Sequence, residues 1–272
     1  MLKQRIITGV VLIALVVLSV LFVENRIFSI FSAIVILGIG GWEWAKLTGF
    51  NEPDMTRPLL FIAALFLFAF SIFLSRDIFW SILSIIGLFV WAGIFFLLAT
   101  YHQGVVLYQN NKWLLRFLAF PVLLLAWLAL IILQDKNAEM LLYLILLVAV
   151  ADSSAYFAGK RFGANKLAPN LSPGKTLEGV LGAIIGTIIW AILAAFYFKF
   201  SSGDGVFFVL LSAVTAILSV AGDLFESLIK REANQKDSGT ILPGHGGILD
   251  RIDAQLIALP FFTAGALLGG II

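Results

Sequence analysis

Long apolar runs alternate with short polar breaks along the whole chain. A membrane span needs about 20 apolar residues, because an α-helix rises about 1.5 Å per residue across roughly 30 Å of hydrocarbon. Runs of this length occur at approximately 6–24, 28–48, 58–75, 78–100, 113–133, 139–158, 177–198, 206–229 and 248–271. The pattern predicts an all-α polytopic membrane protein with about nine transmembrane helices.

Composition supports this interpretation. Hydrophobic residues make up 61% of the 272-residue chain and charged residues 12%, whereas soluble proteins have roughly 45–50% and about 25%. No cysteine is present, which excludes disulfides and thiolate metal sites. No composition break separates a second domain, so residues 1–272 are predicted to form one integral membrane domain. We expect membrane lipid, and no nucleic acid, as its partner.

The basic residues predict the orientation. The first run could be a cleaved signal peptide after Lys3 and Arg5, but its length and the absence of a small-residue cleavage site favour a membrane helix. Cytoplasmic loops carry an excess of Lys and Arg. With a cytoplasmic N-terminus, the only Lys and Arg residues on the opposite side are Arg26, Arg76, Lys136 and Lys199. The bias predicts a cytoplasmic N-terminus.

Two cytoplasmic loops carry the polar residues best suited to chemistry. They are residues 159–176, GKRFGANKLAPNLSPGKT, and residues 230–247, KREANQKDSGTILPGHGG. Both are rich in Gly, Pro, Ser, Asn and cations. We therefore expect residues 139–272 to carry the catalytic cavity and residues 1–135 to be mainly scaffold.

Acidic residues interrupt several apolar runs. They are Glu43, Asp152, Asp223, Glu226, Asp250 and Asp253. A carboxylate at mid-bilayer costs roughly 2.5–3.5 kcal/mol on insertion scales, so such residues are usually paired or functional. All six fall in the cytoplasmic third of their predicted helices, where they can share one polar cavity. The alternative is that they only pair with nearby Lys and Arg to hold the bundle together.

These residue types fit phosphate chemistry. Carboxylates without a His or Cys cluster suit a hard cation such as Mg²⁺, and nearby Lys and Arg suit phosphate oxygens. Glycines in the second loop would let backbone N–H groups approach a phosphate. Together they indicate phosphoryl or nucleotidyl transfer.

The stretch SPGKT, residues 172–176, is not a P-loop. Pro169 stands where that motif needs a glycine, and no strand is predicted before it. Lys175 remains a candidate phosphate contact. His245, between two glycines, is a candidate triphosphate contact rather than a general base, since a phosphate nucleophile is already ionised near neutral pH.

Residues 227–253, SLIKREANQKDSGTILPGHGGILDRID, resemble the signature of phosphatidate cytidylyltransferases, also called CDP-diacylglycerol synthases. The fixed positions of that signature are Ser227, Lys230, Arg231, Lys236, Asp237, Pro243, His245, Gly246, Gly247, Asp250, Arg251 and Asp253. Residues 151–179 resemble a second region of the family. They depart from it at Ser153-Ser154, usually Thr-Gly, and at Gly174, usually Lys.

The resemblance implies that CTP and phosphatidic acid give CDP-diacylglycerol and pyrophosphate, in phospholipid biosynthesis. It also implies a homodimer and Mg²⁺, with or without a second cation, held by Asp223 and Asp250. The expected catalytic residues are Asp223, Asp250, Asp253 and Lys230. The expected substrate contacts are Lys175, Ser172, Ser227, Arg231, Lys236, Asp237, His245, Gly246, Gly247, Arg251 and Asp152. The lipid phosphate would attack the α-phosphorus of CTP in line.

Other functions stay open at this point. A transporter or ion pathway also places acids in a membrane, but it predicts acids spread through the membrane depth. A lipid-linked transferase with another nucleotide or a polyprenyl acceptor would use similar residues. A non-catalytic scaffold would not need so many costly charges. We expect a bacterial plasma membrane location, with several spans and the active site facing the cytoplasm.

Overall fold

The computed structural model describes residues 2–49, 56–74, 76–102 and 113–272, which are almost entirely helical. The first half contains α1 (Leu2–Phe22), α2 (Asn25–Ala33), a π-helical segment (Ile34–Gly40), α3 (Gly41–Leu47), α4 (Thr56–Leu74) and α5 (Arg76–His102). The second half contains α6 (Trp113–Lys136), α7 (Ala138–Phe162), β1 (Lys166–Ala168), β2 (Ser172–Thr176), α8 (Leu177–Tyr197), α9 (Ser202–Glu232), α10 (Leu249–Ile252) and α11 (Gln255–Leu268).

Every predicted span coincides with a helical part of the chain, apart from position 75, which lies outside the described residues. Among the described residues, seven helical segments are long and apolar enough to cross a membrane. They are Asn25–Leu47, Ser84–Tyr101, Trp113–Lys136, Ala138–Phe162, Leu177–Tyr197, Ser202–Glu232 and Leu249–Leu268. The architecture is that of a multi-pass membrane protein, and the count of nine spans is not confirmed.

Two of the predicted helices are interrupted. The run predicted at 28–48 contains the π-helical segment between α2 and α3, and the run predicted at 248–271 breaks between α10 and α11. Both breaks lie next to acidic residues: Glu43 follows the first, and Asp253 occupies the second. Hydropathy alone reports the length of such a run and not its backbone geometry.

The loop predicted at residues 159–176 is partly a β-hairpin, which corrects the expectation of a purely helical chain. Strands β1 and β2 pair antiparallel, with Lys166 opposite Thr176 and Ala168 opposite Ser172. The prediction that no strand precedes SPGKT was wrong, since β1 precedes it and SPGKT is itself β2. The rejection of a P-loop is unaffected, because Pro169 remains in the place of its glycine. Helices α7 and α9 extend into the predicted loops, to Phe162 and Glu232.

Helices α7 and α8 pack closely because small residues face each other. A Cβ added to Gly186 would lie 2.8 Å from Cβ of Ser154, and one added to Gly182 would lie 2.9 Å from the carbonyl oxygen of Ser154. Small residues of this kind let helix backbones approach within a membrane. The hairpin joins these two helices, so their close packing fixes its position and that of Lys175.

Helix α6 lies at the centre of the bundle, where its residues are buried from Val122 to Ala129. Helix α3 is tied to it, because the indole N–H of Trp44 donates to the carbonyl oxygen of Leu115 at 2.9 Å. The Trp44 ring also contacts Phe225 of α9, with ring centroids 5.8 Å apart. These contacts hold α3 beside α9, which places the acid of α3 next to those of α9 and α10.

Candidate active site

Asp250, at the start of α10, is held on both carboxylate oxygens. Its Oδ1 lies 2.7 Å from Nζ of Lys230. Its Oδ2 accepts hydrogen bonds from the backbone N–H of Ser238 at 2.8 Å, the Ser238 hydroxyl at 3.0 Å and the backbone N–H of Gly247 at 2.8 Å. The loop between α9 and α10 is therefore folded around this carboxylate.

Glu43 closes the other side of the same loop. This side chain belongs to α3 and is 2% exposed. Its Oε1 accepts from the N–H of Ile248 at 3.0 Å, and its Oε2 accepts from the N–H of Leu249 at 2.9 Å and the Ser238 hydroxyl at 3.0 Å. A buried carboxylate needs such donors, because an unpaired charge in a dry interior is strongly disfavoured. Glu43 thereby fastens the start of α10 to the N-terminal half of the bundle.

Lys230 lies between two acids. Its ammonium group forms ion pairs with Glu226, one turn earlier on α9, and with Asp250. The side chains of Lys230, Glu226 and Asp250 are 13%, 2% and 6% exposed. Helical spacing of four residues brings Glu226 and Lys230 to one face of α9.

A second lysine–acid pair involves Asp223, which lies about one turn before Glu226 on α9. Nζ of Lys175, from β2, is 2.6 Å from Oδ2 of Asp223, and Oδ1 of Asp223 accepts a longer bond, 3.3 Å, from the Ser227 hydroxyl. Asp152 of α7 lies within electrostatic range of Asp223 and Lys175, and Asp253 does so as well. The four elements α7, β2, α9 and the α10–α11 break thus meet at Asp223.

A polar pocket of about 550 Å³ opens beside Asp250. Its lining includes Lys236, Asp237, His245, Gly246 and Arg251. Nδ1 of His245 is buried and has no hydrogen-bond partner among the described residues. A buried, unpaired polar atom costs free energy, so it indicates a ligand or water at this place. The pocket therefore combines cations with an unused hydrogen-bonding atom.

Glycines make the tight turn around Asp250 possible. Gly246 has φ +81°, a conformation that side-chain-bearing residues rarely adopt, and an added Cβ would lie 2.5 Å from Oδ2 of Asp250. At Gly247 an added Cβ would lie 2.5 Å from Oε2 of Glu43. The Gly-Gly pair after His245 thus lets the backbone pass between two carboxylates.

Comparison with known proteins identifies the family of this chain. Residues 3–267 match the cytidylyltransferase family. The chain is 36% identical to the phosphatidate cytidylyltransferase of Haemophilus influenzae, over 97% of this chain and 98% of that protein. It is 35% identical to the enzyme of that name from Pseudomonas aeruginosa, over 97% and 96%, and 34% identical to that from Thermotoga maritima, over 95% and 94%. The chain belongs to the cytidylyltransferase family.

Five of the twelve fixed signature positions, Ser227, Lys230, Gly247, Asp250 and Asp253, lie in two groups of contacts. Asp250, Lys230 and Gly247 form the network around Ser238, while Lys175, Asp223 and Ser227 form the second pair with Asp152 and Asp253 beside it. Three of the acids do pair with lysines, as the alternative interpretation predicts: Asp223, Glu226 and Asp250. Pairing and catalysis are compatible, because a lysine that holds an acid can also contact a phosphate.

Four of the residues expected to contact substrate are placed as follows. The N–H of Gly247 donates to Asp250. Arg231 turns toward the hairpin, where its Nε donates to the carbonyl oxygen of Leu171 at 3.3 Å. Ser172 begins β2 opposite Ala168, and no side-chain contact joins it to either group within the described residues. Arg251 braces the His245 turn, since its Nε donates to the carbonyl oxygen of His245 at 3.1 Å.

Sequence reasoning missed two residues of the site. Glu43 was expected to share the polar cavity with the other acids but was given no role in it, and Ser238 is not a fixed position of the signature. Glu43 could have been found from the free-energy cost of an ionisable side chain in a membrane helix, because such a side chain usually has a polar partner. Nothing in the sequence indicates that the partners are Ser238, Ile248 and Leu249, about 200 residues later in the chain.

The acids of the site suit a hard cation unequally. The described residues contain no group of three His, Asp or Glu side chains placed to hold a metal. Mg²⁺ commonly binds through one or two carboxylates together with waters and substrate phosphates. The side chain of Asp223, 29% exposed and with only a long bond on Oδ1, has an oxygen to offer. Asp250 could offer Oδ1 only if Lys230 moved away from it.

Proposed function

We infer that this protein is a phosphatidate cytidylyltransferase, which converts CTP and phosphatidic acid to CDP-diacylglycerol and pyrophosphate in phospholipid synthesis. The observation that carries this inference is the match over nearly the whole chain to enzymes of that name, at 36% and 35% identity. The resemblance of residues 227–253 to the signature of these enzymes also supports it, because Lys230, Gly247 and Asp250 of this stretch contact one another in the structure. The protein is thus a membrane-bound nucleotidyltransferase.

The chemical step we propose is an in-line displacement. A phosphate oxygen of phosphatidic acid bonds to the α-phosphorus of CTP, and the bond from that phosphorus to the oxygen bridging to the β-phosphorus breaks. The electron pair leaves with pyrophosphate. No general base is needed, because the attacking phosphate is already ionised near neutral pH. The protein's task is to hold three charged groups in line and to reduce their mutual repulsion.

The cations of the polar pocket support this step. Lys236 and His245 line the cavity beside Asp250, and we propose that they hold the triphosphate of CTP, while Arg251, at the edge of the same cavity, holds the phosphate of the lipid. Lysine acts as a point charge and arginine as a planar fork for phosphate oxygens. Lys175 and Lys230, each beside an acid, are proposed to contact the reacting phosphates as they approach. Asp253 is proposed to orient the groups around Asp223.

We propose Mg²⁺ as the cofactor, held by Asp223 and Asp250. The carboxylate oxygens of these residues are donors that a hard cation prefers. When bound, the ion would offset the negative charge of the triphosphate and of the leaving pyrophosphate. Asp223 offers an exposed oxygen, whereas Asp250 requires Lys230 to give up its contact. We therefore expect Lys230 to turn from Asp250 toward phosphate when substrates are present.

We also propose that the N-terminus and the active site face the cytoplasm of a bacterium, in its plasma membrane. The distribution of Lys and Arg supports this orientation. The charges at the start of α10 then lie at the membrane surface, where the phosphate of a lipid substrate lies. The family resemblance supports a homodimer, for which light scattering of the purified protein should give twice the mass of one chain.

Pyrophosphate release by the purified protein in detergent tests the function. With phosphatidic acid and Mg²⁺ present, we expect release with CTP and not with ATP, GTP or UTP. Omission of the lipid should abolish release, which separates transfer from simple hydrolysis. No release with any nucleotide, from a protein shown to be folded by circular dichroism, would overturn the proposal and favour an ion pathway.

A further inference from the structure

An apolar groove of about 270 Å³ runs along the outside of the signature loop. Helix α1 contributes Leu12 and Val16, the segment from α2 to the π-helical turn contributes Phe28 and Ile36, and α11 contributes Leu256 and Leu259. The groove is lined predominantly by hydrocarbon side chains. It thus lies in the membrane-embedded part of the protein, where apolar ligands are available.

The groove continues into the polar pocket. Leu242 and Arg251 line both cavities, so one guanidinium group stands where the apolar and polar surfaces meet. From Arg251 to Leu259 the helical chain advances by about 12 Å, at about 1.5 Å per residue. The two cavities together form an amphiphilic site, with cations at one end and hydrocarbon along the other.

One polar side chain within the groove has an unused atom. Gln255 lies four residues after Arg251, and its Oε1 is buried without a hydrogen-bond partner among the described residues. Nitrogen and oxygen of such an amide exchange on a half-turn of the group, so this end of the side chain can present either a donor or an acceptor. The side-chain amide of Gln255 can therefore hydrogen-bond an ester group of a lipid whose phosphate lies at Arg251.

We propose that this groove binds one acyl chain of the lipid substrate, with the lipid phosphate at Arg251 and the ester beside Gln255. The proposal rests on the proposed function and extends it to the lipid tail. The volume suits one chain rather than two, since it lies just below the range of about 300–1,000 Å³ typical of small-molecule sites. The second chain then remains in the surrounding bilayer. Lipid approaches between α1 and α11, on the side of the N-terminal helices.

A pair of tryptophan substitutions on α1 tests this assignment. Val16→Trp fills the groove, whereas Leu15→Trp adds the same bulk to a neighbouring residue that is 55% exposed and does not line the groove. We expect V16W to raise the KM for dipalmitoyl phosphatidic acid about tenfold, because an added ring leaves no room for a chain. The KM for dihexanoyl phosphatidic acid should rise by less than about threefold, and the KM for CTP should not change. L15W should behave as the unmodified protein.

Photolabelling of the unmodified protein provides a test that does not depend on turnover or on the folding of a variant. The probe is phosphatidic acid with a diazirine in the middle of one acyl chain. We expect label in residues 12–20, 28–36 or 252–259, and we expect excess dipalmitoyl phosphatidic acid to block it. Label confined to the exposed face of α8, or equal chain-length profiles for V16W and L15W, would overturn the groove assignment. Loss of the proposed function is a distinct outcome, because it would appear as absent CTP-dependent release in the unmodified protein.

Discussion

Glu43 and Asp250 contact the same hydroxyl group. Oγ of Ser238 lies 3.0 Å from Oε2 of Glu43 and 3.0 Å from Oδ2 of Asp250. A serine hydroxyl has one proton to donate, so it can satisfy only one of these acids at a time. The backbone N–H of Asp250 in turn donates to this hydroxyl at 3.3 Å. An acid of the N-terminal half is thereby connected to the proposed reaction centre through a single serine.

Replacement of Glu43 by glutamine should therefore reduce turnover. The amide places an N–H₂ group against the N–H of Ile248 or Leu249, and each hydrogen bond to a charged group that is lost costs about 1.5–3 kcal/mol. We expect a lower kcat with little change in the KM for CTP, and a lower unfolding temperature. Initial rates of pyrophosphate release and thermal unfolding in detergent measure the two effects.

The matched control is Glu24→Gln, since Glu24 precedes α2 at the other end of the same helical stretch and is exposed. It should leave kcat and the unfolding temperature unchanged. If E43Q and E24Q had equal kcat values, Glu43 would have no part in positioning Asp250.

Removal of the Lys230 charge should destabilise the protein strongly. Lys230→Met leaves Glu226 and Asp250 without their cation, and breaking a buried ion pair from one side costs about 3–5 kcal/mol. Asp250 keeps its three donors from Ser238 and Gly247, so Glu226 is the acid left unpaired. The double variant Lys230→Met with Glu226→Leu should recover much of the stability.

The same pair of variants separates stability from catalysis. We expect the double variant to unfold near the temperature of the unmodified protein and yet to release no pyrophosphate, because the proposed phosphate contact is absent. Recovery of activity along with stability would show that Lys230 serves only to hold the bundle together.

Asparagine substitutions of the two proposed metal-binding acids should have different consequences. Asp223 is partly exposed and is joined mainly to Lys175, so Asp223→Asn should abolish turnover with a change in stability below about 1 kcal/mol. Asp250 holds the loop through four contacts, so Asp250→Asn should lose turnover and also lower the unfolding temperature. Chelation of Mg²⁺ should stop turnover of the unmodified protein reversibly.

Rates at a series of Mg²⁺ concentrations and parallel unfolding curves compare these variants. Full activity of D223N at the normal Mg²⁺ concentration would remove Asp223 from the metal site. An unchanged unfolding temperature for D250N would contradict the structural part assigned to Asp250.

The close contact of α7 and α8 predicts a strong effect of a single methyl group. Gly186→Ala places Cβ 2.8 Å from Cβ of Ser154, and such overpacking typically costs about 1–3 kcal/mol. Gly93→Ala is the control, because an added Cβ there has no neighbour within 4 Å among the described residues. G93A should be neutral or slightly stabilising, since alanine favours a helix more than glycine does. Equal unfolding temperatures for the two variants would mean that α7 and α8 are further apart than this geometry requires.

Much of the fold could be predicted from the sequence, because membrane helices are recognised by the length and hydropathy of their apolar runs. Spans such as 177–198 coincide with their helices within a residue or two at each end. The hairpin at 166–176 could not be predicted, since its strands are only three and five residues long and β2 contains a proline and a glycine. The break at Asp253 was also missed, because the mean hydropathy of Leu249–Leu268 is still high enough for a membrane span.

The sequence predicts which residues belong to the site better than it predicts which of them contact one another. The spacing of Glu226 and Lys230 on one helix predicts their contact. Contacts between distant segments, such as Lys175 with Asp223 or Glu43 with Ile248, depend on how helices pack in three dimensions. Gly247 illustrates the limit, since it was expected to bring a backbone N–H close to a phosphate, and its place in the motif does not indicate that this N–H donates to Asp250.

The π-helical segment Ile34–Gly40 determines the direction in which Glu43 faces. A π-helical turn contains about one residue more than an α-helical turn, and each residue corresponds to about 100° of rotation. Before the segment, Phe28 and Phe31 face the apolar groove, and after it Glu43 faces the signature loop. The number of residues in this stretch therefore matters more than their identity. A relative that lacked one of them would keep the same hydropathy profile and the same motifs, yet its glutamate would point about a quarter-turn away from the loop it has to hold.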